Sequence, residues 1–363
     1  MKICKLSEIA KFKTGKLNSN AAEMNGRYPF FTCAPEPLKI DTYAFETKAI
    51  ILAGNNAEGN FHIQYFEGKF NAYQRTYIIE TIDNSIVDIR YLYYALKMCL
   101  QHFKLISQGT ATKFLTAKIL SAFELPIPTI DEQQKIAFLL SGLDEKIKTN
   151  ERINNNLEQQ AQAIFKSWFI DFEPFSNRKP SDWSVSTLGN VSIMGAGGDK
   201  PQNVSPRKTD LYEYPIYSNG LSNEGLYGFT DNPKVSEESV TVSARGTIGF
   251  VCLRHIPYVP IVRLVTLIPK TEIISAKYLY LWLKQLHIIG TGTTQQQLTV
   301  PDFQKTEILV PSKEIVTLFT ATVEPIFEKI WANQNENEKL SSLRDTLLPK
   351  LMSGELDVSD IEL

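Results

Sequence analysis

The stretch ELPIPTIDEQQKIAFLLSGLDEKIKTNERINNNL, residues 124–157, decides the fold, because a second version, EILVPSKEIVTLFTATVEPIFEKIWANQNENEKL, fills residues 307–340. The two versions align without a gap at an offset of 183 residues, which places Asn150 on Asn333. A solenoid repeat would run to only about 20–50 residues. The sequence therefore predicts a duplicated domain, each copy of which is followed by a helix.

Within both stretches, apolar and Asn residues recur in steps of four and three, the spacing of a coiled-coil seam. The predicted seam residues are Ile136, Leu140, Leu143, Ile147, Asn150, Asn154, Leu157 and Ile164 in the first copy, and Phe319, Val323, Ile326, Ile330, Asn333, Asn337, Leu340 and Leu347 in the second. Asn residues in a seam usually fix register and partner. We expect the two helices to pair with each other in antiparallel orientation, with one globular head at each end; the alternative is that each helix packs separately on its own head.

Three residues interrupt the helical pattern of the second stretch. Pro325 should break or kink the helix near its start, and Pro349 should bend or end it. Arg344 stands where the first copy has Ala161, at a seam position.

Upstream of each helix, the chain alternates short β-like runs with turn residues. KAIILAG at 48–54 and SVTVSARG at 239–246 predict strands that run into a glycine turn, and RTYIIE and IVRLVTLIP predict strands at matching places. YLYYALK and YLYLWLK have the spacing of a helix. The predicted fold class is α+β: two similar mixed α/β heads separated by two long antiparallel coiled-coil helices. The predicted domains are head 1 at 1–130, a central helix at 131–175, head 2 at 176–312 and a C-terminal helix at 313–363.

Composition and charge limit the functional classes. With 43% hydrophobic residues, four cysteines without a CxxC pair and no apolar run long enough for a membrane span, the chain is expected to be soluble and cytoplasmic. Lys and Arg exceed Asp and Glu by 15 to 11 in residues 1–130 and by 13 to 11 in residues 176–312, whereas both helical regions are acidic. Mildly basic heads are compatible with contacts to DNA phosphates, although charge alone does not establish them.

The repeated segments resemble the specificity subunit of a type I restriction–modification system. PIPTIDEQQKIAFLLSGLDEKI resembles the entry to the first conserved helix of that family, AIFKSWFIDFEPF its end, and LRDTLLPKLMSGEL the end of the second helix. GTATKFLT and GTTQQQLT resemble the element that closes each target-recognition domain. The resemblance covers the whole chain in the same order.

The resemblance implies a DNA-binding function. Each head would read one half of a bipartite site in double-stranded DNA, and the helices would set the spacing. The helices would also dock two methyltransferase subunits, which bind S-adenosylmethionine; two restriction/translocase subunits, which use ATP and Mg, can join. A helix of about 40 residues would be roughly 60 Å long, enough to separate heads by one to two turns of DNA.

Catalytic motifs are not evident in the sequence. The methyltransferase motif Asn/Asp-Pro-Pro-aromatic has only a poor counterpart at Asn232-Pro233, no GxxxxGK[ST] loop is present, and Cys252 with His255 forms half a metal site at most. We therefore expect a non-enzymatic subunit with no metal or cofactor of its own. The alternative is a coiled-coil scaffold that binds other proteins and no DNA.

Polar residues in the turn-rich segments are the candidates for DNA contacts, because base edges are distinguished by their hydrogen-bonding patterns. The candidates in head 1 are Asn18, Asn55, Asn56, Arg75, Thr112 and Lys113; those in head 2 are Asn219, Arg245, Thr247, Gln295, Gln296 and Gln297. Asn residues at these places could equally serve turn geometry, and the arginines could pair with carboxylates.

Overall fold

The computed structural model describes residues 1–290 and 297–361. The chain divides into two compact units, one formed by Met1–Asn150 with Gln334–Leu363 and the other by Glu151–Asn333. Each unit therefore contains one head together with a part of each long helix.

The first unit combines a large sheet with short helices. Its strands are β1 (Lys2–Lys5), β2 (Ala10–Thr14), β3 (Tyr28–Phe31), β4 (Leu38–Ile40), β5 (Phe45–Ala53), β6 (Asn55–Asn56), β7 (Ile63–Ala72), β8 (Thr76–Thr81), β9 (Lys113–Phe114) and β10 (Glu124–Ile127). Its helices are α1 (Leu6–Ile9), α2 (Ile89–Met98), α3 (Leu100–Ile106) and α4 (Ala117–Ala122), and the long helix α5 (Ile130–Phe169) begins here.

Six strands of the first unit form a mixed sheet in the order β2-β8-β5-β7-β3-β4. Its neighbours are antiparallel except for β3 and β7, which run parallel. β5 ends in five consecutive buried residues, as expected of a central strand covered on both faces. A separate pair, β1 with β10, closes the head and leads directly into α5.

The second unit repeats this plan. Its strands are β11 (Ser184–Thr187), β12 (Ser192–Ala196), β13 (Tyr214–Tyr217), β14 (Leu226–Thr230), β15 (Ser239–Val242), β16 (Val251–Arg254), β17 (Val259–Pro260), β18 (Val265–Pro269) and β19 (Glu307–Val310). Its helices are α6 (Leu188–Val191), α7 (Ala276–Gln285) and α8 (Val300–Phe303), followed by the long α9 (Lys313–Ser353).

The strands of the second unit form sheets in the orders β12-β18-β15-β16 and β14-β13-β17, and β11 pairs with β19 as β1 does with β10. The parallel contact of β13 with β17 matches that of β3 with β7. The predicted fold class, two similar mixed α/β heads and two long helices, is confirmed.

In each head, one tyrosine on a short helix forms a hydrogen bond to the strand that precedes the long helix. Tyr91 in α2 is fully buried, and its hydroxyl donates to the Pro126 carbonyl (3.1 Å). Tyr278 in α7 does the same to Leu309 (2.6 Å). Since a buried hydroxyl is costly without a partner, these bonds hold each head against the start of its own long helix.

In each unit the segments of α5 and α9 run antiparallel and meet through asparagines. In the first unit the Asn150 side-chain amide donates to Asn337 Oδ1 (2.8 Å). In the second unit the Asn333 amide donates to Asn154 Oδ1 (2.8 Å). The offset of 183 residues maps each pair onto the other, so each unit makes the equivalent contact. Each of the sixteen proposed seam residues is buried or half-buried.

The sequence predicted that Pro325 would break or kink the second helix, and the predicted break is wrong. α9 continues through Pro325 and also through Pro349, to Ser353. A proline in a helix removes one hydrogen bond and crowds the preceding turn, but Val323 and Phe327, on either side of Pro325, are buried in the core of the second unit. We attribute the continuity to this packing, which offsets the local cost.

The cysteines, the possible metal-binding clusters and the helices can be compared with what metal sites and membrane spans require. All four cysteines are free thiols. In the described ranges, no cluster of three or more His, Cys, Asp or Glu side chains could hold a metal ion. No helix in the same ranges has the length and apolar character needed to span a bilayer.

Candidate nucleic-acid interface

In the first unit, a turn and two strand ends meet at an open cleft of about 400 Å³. Three backbone hydrogen bonds build it: Leu115 N–H to Gly54 O (2.8 Å), Gly15 N–H to Thr76 O (3.3 Å) and Gln74 N–H to Leu17 O (2.9 Å). A Cβ on Gly15 would lie 1.9 Å from the Ala72 carbonyl oxygen, so this close approach of backbones requires glycine. The cleft gathers segments that are up to 100 residues apart in the chain. Its lining residues are Thr14, Gly54, Gln74, Arg75, Tyr77, Phe114 and Leu115.

The three asparagines predicted for the first head lie around this cleft, but each one has a partner within the protein. Asn18 Oδ1 accepts from the Gln74 amide (2.9 Å), and Asn55 Oδ1 accepts from the Cys33 thiol (2.7 Å). Asn56 Oδ1 accepts from the backbone N–H groups of residues 58 and 60 and so shapes its own loop. The turn role considered from the sequence thus applies to Asn56.

The other three candidates of the first head are more available. Arg75 and Thr112 are exposed and Lys113 is half-buried. The Arg75 guanidinium forms no hydrogen bond or ion pair with any residue that the structure describes, so the carboxylate partner considered from the sequence is not found there. Arg75 borders the cleft, and Lys113 pairs in register with Asn56 through β9 and β6.

The second unit builds the same arrangement with the same backbone bonds. Leu298 N–H donates to Ala244 O (3.0 Å), Gly197 N–H to Leu264 O (2.8 Å) and Val262 N–H to Gly198 O (2.8 Å). These bonds place Ala244 on Gly54, so Arg245 is the counterpart of Asn55. The two heads therefore present equivalent positions with different side chains.

Four of the six candidates of the second head lie in the described residues; Gln295 and Gln296 lie outside them. Arg245 donates to Gln297 Oε1 through two nitrogens (3.3 and 3.0 Å). Asn219 accepts from Ala244 N–H (2.7 Å) and donates to the Val262 carbonyl (2.6 Å). Asn219 thus connects two segments of the cluster, and Thr247 is exposed on the loop after Arg245.

Two further residues belong to these clusters and were not among the sequence candidates. Arg263 precedes Leu264 as Arg75 precedes Thr76, and it is exposed. Cys33 lies where the second head has Asn219, and its thiol approaches both Asn55 and the Arg75 carbonyl. The matched runs RTYIIE and IVRLVTLIP each contain an arginine and could have revealed Arg263. No sequence signal identified Cys33, because its role depends on folding.

Cys252 and His255, the weak metal candidates, have separate structural roles. Burial raises the pKa of the Cys252 thiol to about 12. The His255 ring lies flat against the Trp331 ring, with centroids 4.1 Å apart. His255 is exposed overall, but partial burial of its ring beside Trp331, with Lys277 and Arg254 nearby, lowers the pKa of His255 to about 4.

The first cluster carries guanidinium, ammonium and amide groups, and the second carries guanidinium and amide groups, on loops next to the strands of each sheet. Such groups can donate to phosphate oxygens and to base edges in the major groove. The arrangement is suited to hydrogen-bond recognition of an anionic polymer.

Comparisons with a family model and with related proteins all indicate the same family. The model of the type I restriction modification DNA specificity domain matches the chain twice, over residues 1–159 and 180–341. A type I restriction enzyme MjaIX specificity subunit from Methanocaldococcus jannaschii is 29% identical over 311 residues, covering 75% of this chain and 70% of the relative. A putative type I specificity subunit from Mycoplasma pneumoniae is 28% identical over 317 residues, covering 86% and 84%.

A solved structure shares the fold. The crystal structure of a type I restriction–modification S subunit from M. genitalium superposes with a TM-score of 0.61. It covers 96% of this chain and 95% of that one, at 19% sequence identity.

Proposed function

This chain belongs to the family of type I restriction modification DNA specificity domains, and on that premise we propose that it is the DNA specificity subunit of a type I restriction–modification complex. Each head reads one half of a bipartite site in double-stranded DNA, and the observation that carries this proposal is the pair of equivalent polar clusters. The same backbone bonds build both clusters, whereas Asn55 in one is Arg245 in the other. A common backbone arrangement that carries different side chains would allow the two heads to recognise different half-sites.

The proposed division of labour follows the predicted domains. Residues 1–130 and 176–312 are the recognition heads, and residues 131–175 and 313–363 are the helices that set the distance between half-sites. Pairing of the helices through asparagines in both units supports a spacer of defined register.

The helices also dock two methyltransferase subunits in this proposal. Phe138 on α5 and Leu318 on α9 are large apolar side chains, and each is 56% exposed. Exposed apolar residues on a helix are suited to a partner helix. S-adenosylmethionine binds to those partners, and ATP with Mg binds to the restriction subunits that can join them. The chain itself performs recognition in the cytoplasm and no chemistry.

Methylation mapping tests the proposal. The full chain, expressed with the methyltransferase subunit of its own locus, should direct methylation to one bipartite motif in the host genome. Purification should give about two methyltransferase subunits for each copy of the chain. Purified complex without sequence-selective DNA binding would refute the proposal and favour the protein-scaffold alternative.

Single substitutions test the residue assignments separately. Arg245→Ala and Lys113→Ala should each weaken binding, the first affecting one half-site and the second the other. A base-reading arginine should cost about 1–3 kcal/mol and relax one position, whereas a phosphate contact should weaken all sequences alike. If neither variant changes affinity or specificity, the assigned residues are wrong even where the motif itself is found.

A further inference from the structure

The turn Ile261–Leu264 in the second unit contains two consecutive residues with left-handed backbone, Val262 (φ 53°) and Arg263 (φ 62°). Leu264 N–H donates to the Ile261 carbonyl (3.1 Å), which gives the turn the features of type I′. Gly, Asn and Asp normally fill such positions, because a Cβ is disfavoured at positive φ, above all in a β-branched residue. Val262 is the one β-branched residue with positive φ in the described part of the chain.

Hydrogen bonds on both sides hold this turn in its strained form. Val262 N–H donates to Gly198 O and Arg263 N–H to Gly197 O, both at 2.8 Å. The Val262 carbonyl accepts from the Asn219 amide (2.6 Å). A Cβ on Gly197 would lie 2.7 Å from Ile261 N, so the backbones could not approach this closely with another residue. A strained conformation persists where its surroundings over-determine it in this way.

The side chains on the turn point to solvent instead of filling the core. Val262 is 50% exposed, and the exposed guanidinium of Arg263 has no hydrogen-bond or ion-pair partner in the ranges 1–290 and 297–361. Packing therefore does not explain why Val and Arg occupy positions that Asn and Gly would fill at lower cost. In the first head, the equivalent turn closes with Thr76 N–H to Tyr73 O (2.9 Å), and neither Gln74 nor Arg75 is left-handed.

The same turn is joined to the rest of the recognition cluster. The Asn219 side chain donates to the Val262 carbonyl through its amide nitrogen and accepts from Ala244 N–H through its amide oxygen. Ala244 precedes Arg245, and the Arg245 guanidinium donates a hydrogen bond to Gln297 Oε1. The turn that carries Arg263 therefore lies beside the loop that carries Arg245.

We propose, resting on the function proposed above, that Arg263 is a base-reading residue of the second head and that it recognises a guanine. Guanine presents two acceptors, O6 and N7, in the major groove, and the planar fork of an arginine matches both. The left-handed turn aims the guanidinium outward, and Asn219 is the positioning residue that ties this turn to the Arg245 loop.

The test uses the full chain in complex with its methyltransferase subunit and duplexes carrying the mapped site with each base pair substituted in turn. Arg263→Ala should remove the preference for guanine at one position of one half-site and weaken binding roughly 5- to 150-fold, equivalent to about 1–3 kcal/mol. The other half-site should be unchanged. Arg263→Lys keeps the charge but not the fork, so it should also relax that position. Lys305→Ala, which removes an exposed cation elsewhere in the same unit, is the matched control.

The outcomes separate this proposal from the function on which it rests. If wild-type complex shows no bipartite specificity, the proposed function fails. If wild-type complex is specific but Arg263→Ala changes nothing, or weakens all duplexes equally with recovery in Arg263→Lys, Arg263 does not read a base. Asn219→Asp, which retains the acceptor for Ala244 N–H but loses the donor to Val262 O, should relax the same position as Arg263→Ala; an effect elsewhere in the site would contradict the positioning role.

A stability measurement tests the role of strain independently. The double variant Val262→Asn, Arg263→Gly has residues suited to a type I′ turn. It should raise the midpoint of thermal unfolding while abolishing the guanine preference. A lower midpoint would show that the turn is not strained in the way described and would overturn that part of the proposal.

Discussion

Asp144 on α5 and Arg344 on α9 form an ion pair of 2.7 Å in the first unit. Both side chains are less than one-fifth exposed, and the Tyr94 hydroxyl donates to the second carboxylate oxygen of Asp144 (2.6 Å). This pair explains why an arginine interrupts the apolar seam of the second helix.

The same place in the second unit is apolar. The offset of 183 residues places Phe327 on Asp144 and Ala161 on Arg344, and both Phe327 and Ala161 are buried in one core. Phe327 contacts the Tyr280 ring, with centroids 5.9 Å apart. A charged pair at one place is thus replaced by a large and a small apolar residue at the other.

We predict that Asp144→Ala and Arg344→Ala each lower the free energy of unfolding by about 1–3 kcal/mol, because each removes the half-buried ion pair; Arg344 then retains Asp345, and Asp144 retains the Tyr94 hydroxyl. The double variant Asp144→Phe, Arg344→Ala copies the second unit and should lose less than either single variant. Urea unfolding measures all three. A double variant that loses as much stability as either single variant, or more, would contradict this account of the pair.

The asparagine pair of the first unit should select register at the expense of stability. Replacing both Asn150 and Asn337 by Leu should raise the midpoint of urea unfolding, because polar seam residues are costly when buried. The same variant should show more than one species in size-exclusion chromatography with light scattering. Asn155→Leu, at an exposed position of the same helix, is the control. A single, less stable species would contradict this assignment.

Arg75 should act on the half-site that Arg263 does not read. Arg75→Ala should weaken binding roughly 5- to 150-fold if it reads a base, and its effect should be confined to one half-site. Competition binding with duplexes altered in either half measures this, with Lys118→Ala, also exposed in the first unit, as the control. Changes in both half-sites would contradict independent heads.

His255 should make the stability of the second unit depend on pH. Its pKa is about 4 in the folded protein and about 6.5 in an unfolded chain. As pH falls from about 6.5 to 4, the unfolded state therefore binds a proton that the folded state does not, and the free energy of unfolding decreases; above about 6.5 this loss is absent.

Urea unfolding at about pH 7 and pH 5 checks the prediction. His255→Phe retains a ring against Trp331 and should reduce the difference between the two pH values. His287→Gln, at an exposed position in the same unit, should leave the difference unchanged. Equal pH dependence in wild type and His255→Phe would exclude His255 as its source.

Much of the fold was predictable from the sequence because it depends on the spacing of apolar residues and on the internal repeat. The seam spacing and the 183-residue offset specify two long helices, and the aromatic runs at Tyr91 and Tyr278 specify the head helices. The helix break predicted at Pro325 was wrong, because local propensity takes no account of the core contacts of Val323 and Phe327. Tertiary packing decided that position.

The candidate interface was only partly predictable. Turn-rich segments led to Arg75 and Arg245, which are exposed, but also to Asn56 and Asn219, whose amides are used within the protein. The partners of Asn56 are local, but the Val262 partner of Asn219 lies 43 residues along the chain and cannot be identified from spacing. The left-handed backbone at Arg263 likewise results from contacts with a distant glycine segment.

The central claim is that the two long helices set the distance between the half-sites. Insertions of equal length in both helices test this claim most directly. Seven residues added after Asn155 in α5 and seven after Ala332 in α9 would keep the seam in phase and retain the Asn150–Asn337 and Asn154–Asn333 pairs. The bond from Asn154 to the Ile330 carbonyl would be lost. Each helix would lengthen by about 10 Å, close to three base pairs of DNA. Methylation mapping should then show both half-sites unchanged in sequence and separated by about three more base pairs. A folded, active complex that keeps the original separation would contradict the account.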